Sequence, residues 1–196
     1  MCNLRLKKPK KPKKPRKPKN MRTPITPPRY TYNDYKNWKE DWELIDGYPW
    51  QLLPSVSPKH SKIQAKCIIQ AGNSLNRKGD DCNSVLFTEI DWKKSEETVV
   101  RPDIMVICGE TKEAYLNFPP VLIIEILSPY NLKNDRVVKF EIYREQGVKF
   151  YIMVDCQKDA VEVYELTDNF YKQVQKTKFQ IDKNCEIEFD FEALWK

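Results

Sequence analysis

Apolar residues recur along this chain with two different periods. His60, Ile63, Gln64, Cys67, Ile68, Ala71 and Leu75 fall on one stripe at helical spacing, and Ser57-Pro58 just before them supplies an N-cap serine and a proline at the first helical position. A second helix is predicted over "NDRVVKFEIYREQG", with Asn134 as its N-cap and Gly147 as its stop. Between the helices lie shorter apolar runs that read as strands: two around an Asp46-Gly47 turn in "WELIDGYPWQLL", one near Val85 to Ile90, one over Thr98 to Ile107, and "VLIIEILSP" at Val121 to Pro129. "KFYIMVD", "AVEVYEL" and "FYKQVQ" form a strand series that looks antiparallel, and "FEALW" reads as a short closing helix. "TYNDYKNWKED" reads as a short amphipathic helix at the other end.

This order of elements predicts an α/β (α+β) fold with a mixed central β-sheet flanked by helices. At 196 residues the chain suffices for one domain with a full core. No internal repeat and no second domain are visible.

Composition changes this picture at the N-terminus. Met1 to Arg22 holds eleven Lys or Arg and no acid, so the remaining 34 − 11 = 23 basic residues face 28 acidic ones. The net charge of +6 therefore belongs to the tail, and the body carries about −5. Lys7 to Asn20 repeats Lys and Pro without an apolar residue, which predicts an extended, disordered arm over 1–28 and a folded domain over 29–196. Such an arm suits attraction to nucleic-acid phosphates, and equally a solubilising tail or a targeting sequence.

Six cysteines form no C-x-x-C pair and there is a single histidine, His60, which argues against a structural zinc site. Cys67 and Cys108 sit in apolar contexts, predicting reduced, buried thiols in a cytoplasmic protein. No run reaches the roughly 18 apolar residues of a membrane span, and the basic N-terminus has no apolar core of a secretory signal.

The candidate chemistry lies in charges set among apolar residues. Glu125 interrupts "VLIIEILSP" and shares a face with Ile123 and Leu127; an ionised carboxylate there costs several kcal/mol unless paired or metal-bound. Asp103 opens an otherwise apolar strand directly after a proline, and Lys139 borders the apolar face of the following helix. Two hard oxygen ligands on neighbouring strands suit Mg²⁺, and a nearby lysine can orient or help deprotonate an attacking water. Taken singly, each has a plainer reading: a strand-end aspartate, a snorkelling lysine, a buried Glu–Lys pair.

In sequence order these segments are similar to the motifs of one family. "WELIDG" resembles Y-E-L-I-D-G, "SPKHSKI" resembles S-P-x-H-x-x-I, "RPDIMVI" resembles R-P-D-hydrophobic, and "IIEILSP" resembles V-E-V-L-S-P. "NDRVVKFEIYREQGVKFYIMVD" resembles D-R-x-x-K-x-x-x-Y-x-x-x-G-V-x-E-Y-W-L-V-D. The chain thus resembles, from Tyr30 to Trp195, the Uma2 family of the PD-(D/E)XK nuclease superfamily. The resemblance implies a restriction-endonuclease-like fold and a Mg²⁺-dependent endonuclease acting on DNA, with Mn²⁺ as a substitute ion. It makes Asp103 and Glu125 the two metal-binding acids, with the Ile126 carbonyl as a further ligand. Leu127 stands where the superfamily lysine is usual; the resemblance transfers that role to Lys139. It also suggests Glu43 as an extra acid near the metal, against a solvent-facing strand position. His60 and Gln64 are pocket-lining candidates, against ordinary core positions. The rival expectation is a silent nucleic-acid-binding protein on the same scaffold; a carboxylate-pair glycoside hydrolase fits the two acids but not the lysine. The expected partner is DNA, with RNA as the alternative, and a homodimer is compatible with cutting both strands.

Overall fold

A computed structural model describes residues 27–52, 57–76, 82–129 and 134–196. The basic arm, apart from its last two residues, lies outside them. Where it begins, α1 (Tyr32–Tyr35) is a single turn, shorter than its amphipathic stretch. β1 (Trp42–Ile45) and β2 (Tyr48–Gln51) then pair with Ile45 opposite Tyr48, and Asp46 and Gly47 take φ of 50° and 79°. Two successive left-handed residues match the twist of a two-residue hairpin, which is why Asp-Gly stands there.

α2 (Pro58–Asn76) starts at the expected cap, the Ser57 hydroxyl accepting the His60 amide at 3.1 Å. Five strands follow: β3 (Ser84–Thr88), β4 (Trp92–Ser95), β5 (Thr98–Val100), β6 (Ile104–Cys108) and β7 (Leu122–Leu127). A π-helical turn (Asn134–Lys139) runs into α3 (Phe140–Glu145) and ends at Gly147, φ 78°. β8 (Phe150–Asp155), β9 (Ala160–Thr167), β10 (Phe170–Val174), the hairpin of β11 (Lys178–Gln180) with β12 (Glu186–Glu188), and a 3-10 turn (Glu192–Leu194) complete the chain.

The central sheet has the order β10-β9-β8-β7-β6-β3, with β7 and β8 parallel and the other neighbours antiparallel. This is the mixed sheet expected from the sequence, in an α+β fold. Leu122, Ile124 and Ile126 of β7 pack with α2 through Ile63, Cys67 and Ala71. Ile123 and Leu127 join Tyr143, Tyr151 and Trp92 on the opposite face. Glu125 belongs by alternation to that second face, which explains how a strand buried on both sides can still aim one side chain at a specific neighbour.

Two expectations are corrected. The strand expected over Thr98 to Ile107 is two strands in different sheets: β5 lies in an antiparallel four-stranded sheet ordered β2-β1-β5-β4, whereas β6 lies in the central one. Pro102 has no N–H to give to a ladder, so Arg101-Pro102-Asp103 becomes the crossing between sheets. Asn134 is the first residue of the π-helical turn and does not cap it: its Oδ1, the atom a cap uses, accepts no hydrogen bond, and its side-chain amide is turned to donate to Glu43 Oε2 at 3.0 Å. Cys67 and Cys108 are the free thiols expected, Cys67 buried and Cys108 half-buried, and Cys156 is free as well; Cys82 and Cys185, 103 residues apart in sequence, form a disulfide. Nothing in local spacing announces that pair. Among the described residues no helix is long and apolar enough to cross a membrane.

Candidate active site

The crossing between sheets fixes the first acid. β6 pairs with β7 from Ile104 opposite Ile124, so Asp103 sits beside Glu125 as the chain enters the sheet. The two are joined reciprocally through backbone: the Asp103 amide donates to Glu125 Oε2 at 3.3 Å, and the Ile126 amide donates to Asp103 Oδ2 at 2.6 Å. They differ in access, since the Asp103 side chain is 23% exposed and that of Glu125 only 3%.

Behind Glu125 lies a buried charge cluster. Lys139 Nζ stands 2.8 Å from Glu43 Oε1, 3.1 Å from Glu125 Oε1 and 3.3 Å from Asp135 Oδ1. Tyr143 donates its hydroxyl to Glu125 Oε1 at 2.6 Å, and the Arg101 amide donates to Glu43 Oε1 at 2.8 Å. The Arg101 side chain ties the crossing down by pairing with Asp91 and Asp41, each at 2.8 Å. The π-helical turn is what gathers this set: it buries Asn134, Asp135 and Lys139 together, and the one-turn widening of a helix is a device that recurs at functional sites.

Burial dominates the electrostatics here. It pushes the Glu125 carboxyl well above its ordinary pKa, with Lys139 pulling the other way. It pushes Asp135 up to about 6, again against Lys139. For Lys139 burial disfavours the charge, but Glu125, Glu43 and Asp135 outweigh it and hold the ammonium protonated. Burial, and then Glu125, raise the Tyr143 phenol, which therefore stays a donor.

α2 brings His60 to the Asp103 side, with Nε2 3.6 Å from Asp103 Oδ2. Burial opposes a charge on the imidazole, yet contacts with Asp103 and the Ile126 carbonyl leave its pKa raised. Gln64, one turn on, donates to Glu89 Oε1 at 3.2 Å. The sequence-predicted residues thus divide. Asp103, Glu125, Glu43 and Lys139 form one connected network, His60 adjoins Asp103, and the contact of Gln64 runs outward to Glu89. Glu43 is not a solvent-facing strand residue: β1 is flanked by β2 and β5, and Glu43 is fully buried. Asn134, Asp135, Tyr143 and Arg101 were not among the expected site residues. The spacing Asp135, Lys139, Tyr143, two steps of four, was the available signal for a stripe facing one place.

The donor set can be weighed for a cation. Among the described residues no three His, Cys, Asp or Glu side chains enclose an ion by themselves. Asp103, the Ile126 carbonyl and the remaining lone pairs of Glu125 nevertheless give hard oxygen donors at one partly open edge, which fits a divalent ion that keeps several waters.

Comparison with known proteins agrees with this architecture. The Uma2 family model, described as "Putative restriction endonuclease", matches residues 30–190. "Uncharacterized protein slr1290" of Synechocystis sp. is 26% identical over 152 residues, covering 72% of this chain and 77% of that protein. The fold is similar to the crystal structure of a "putative nuclease belonging to DUF820" from Anabaena variabilis, with a TM-score of 0.67 at 19% identity, covering 84% of this chain and 97% of that one.

Proposed function

This chain belongs to the Uma2 family, and we propose that it is a divalent-metal-dependent endonuclease that hydrolyses phosphodiester bonds in DNA. One observation supports this most: two acids, Asp103 just before β6 and Glu125 in β7, meet at a partly exposed edge with a buried lysine behind them. Structural ion pairs do not need such an edge.

In this reading Asp103, Glu125 and the Ile126 carbonyl hold Mg²⁺, with Mn²⁺ as substitute. The bound ion would offset charge on the phosphate and lower the pKa of an attacking water. Lys139 and Tyr143 both point donors at Glu125 Oε1, so they hold that carboxylate facing Asp103. Lys139 takes the role of the lysine absent at Leu127, positioning the water, and Glu43 keeps its ammonium in place. His60 and Gln64 line the approach from α2. The arm's eleven basic residues would hold the phosphate backbone by counterion release, a term that falls steeply with salt and does not separate DNA from RNA.

The test is cleavage of supercoiled plasmid by tag-free protein with Mg²⁺, with chelator, and in Asp103→Ala and Lys139→Ala. Chelator-sensitive cleavage lost in both variants is expected; cleavage unchanged in both sinks the assignment. A second reading, a silent DNA-binding protein on a nuclease scaffold, is favoured by one feature: Lys139 is 3% exposed and already shared by three carboxylates. Calorimetric titration separates the two, since this reading requires no uptake of Mg²⁺ or Mn²⁺.

A further inference from the structure

We infer that His60 is the nitrogen ligand of this metal site and that it turns the site's preference from Mg²⁺ toward Mn²⁺. The inference rests on the metal-dependent reading above and adds a ligand from a third element, α2.

The position of His60 is set by the start of the helix. Ser57 caps the amide of His60 itself, which fixes the first turn of α2 over the end of β7. The imidazole is 11% exposed, with Nε2 3.6 Å from Asp103 Oδ2, and it faces the Ile126 carbonyl. Its other nitrogen, Nδ1, is buried without a hydrogen-bond partner. The polar contacts of the ring instead go to Asp103 and the Ile126 carbonyl, the two oxygens assigned to the ion.

The spacing suits a shared ion. At 3.6 Å, Nε2 and Oδ2 are beyond ordinary hydrogen-bond length. Two donors each about 2.1 Å from one ion stand about 3.0 Å apart at a right angle and about 3.4 Å apart at a tetrahedral one. A small closure therefore brings both onto one ion. Glu125 is meanwhile heavily engaged, its Oε1 accepting from Lys139 and Tyr143 and its Oε2 from the Asp103 amide. A site whose second carboxylate is so committed gains from another donor. Mg²⁺ favours an all-oxygen set; Mn²⁺ takes the same carboxylate, carbonyl and water oxygens and, as a first-row transition ion, accepts a nitrogen beside them more readily than Mg²⁺ does.

His60 is the sole histidine of the chain, which makes the test direct. Full-length, tag-free protein is loaded with Mn²⁺ and examined by pulsed electron paramagnetic resonance for imidazole ¹⁴N coupling. Calorimetry compares Mn²⁺ and Mg²⁺ in wild type and His60→Ala. We expect nitrogen coupling in wild type, and a loss of about 10-fold or more in Mn²⁺ affinity in the variant with a smaller change for Mg²⁺. Mn²⁺ bound without nitrogen coupling overturns the inference and leaves the nuclease reading standing. Absence of any Mn²⁺ or Mg²⁺ uptake by wild type overturns both.

Discussion

Lys139 and Glu43 meet at 2.8 Å in the interior, one from the π-helical turn and the other from the middle strand pair of the smaller sheet. That contact makes the two sheets and the crossover helix depend on one ammonium. Replacing Lys139 by Met keeps the stem but leaves Glu43, Glu125 and Asp135 buried without their cation. We expect a loss of about 3–5 kcal/mol in denaturant unfolding. Adding Glu43→Gln to that variant is expected to return part of it, as a coupling of about 1–3 kcal/mol in the double-mutant cycle. Strict additivity would show that the pair is not energetically joined.

Tyr143→Phe isolates a single donor. The ring is held by a stacked Trp92 at 5.8 Å and an edge-on Tyr151 at 5.0 Å, and Phe keeps both contacts. Only the 2.6 Å hydroxyl bond to Glu125 Oε1 is lost. The expected cost is about 1–3 kcal/mol, because a buried acceptor loses a partner without gaining water. Equilibrium unfolding of the variant measures it; a change within error would mean that Lys139 alone satisfies Oε1.

Asp135 gives a pH dependence with a defined sign. Burial lifts its pKa from the ordinary 3.8 to about 6, so between those values the folded chain holds a proton that the unfolded chain releases. Stability from this group is therefore lost as pH rises from about 4 to about 6, by roughly 3 kcal/mol at most. Asp135→Asn is expected to flatten that window in a series of unfolding curves. Parallel pH profiles for wild type and variant would refute the assignment.

The Cys82–Cys185 bridge closes a segment of 103 residues and joins the start of β3 to the approach of β12. A closed loop of that length restricts the unfolded chain by about 4–5 kcal/mol in the loop-entropy description. Reducing agent is expected to lower the melting temperature of wild type and leave Cys185→Ser unmoved. Equal shifts in both proteins would exclude this pair as the stabilising link.

Much of the site was legible because its members break local rules. Glu125 in a branched apolar strand, and Asp103 after a proline at a strand start, are visible as misplaced charges without any structure. Glu43 could not be placed that way, since a four-residue strand reads alike at an edge or in the middle of a sheet; the flanking β2 and β5 decided it. Asn134 looked like a cap because caps are common for asparagine, and the nearby Glu43 took its amide instead.

The sequence by itself determined the α+β class, the Asp46-Gly47 hairpin, the capped start of α2 and the two acids set among apolar residues, because each is encoded in residues a few positions apart. Tertiary structure alone decided that Thr98 to Ile107 serves two sheets, that Cys82 reaches Cys185, and that three carboxylates from three elements converge on Lys139. Those outcomes depend on which distant surfaces pack together. Burial then sets the charge states, and no pattern along the chain carries that information.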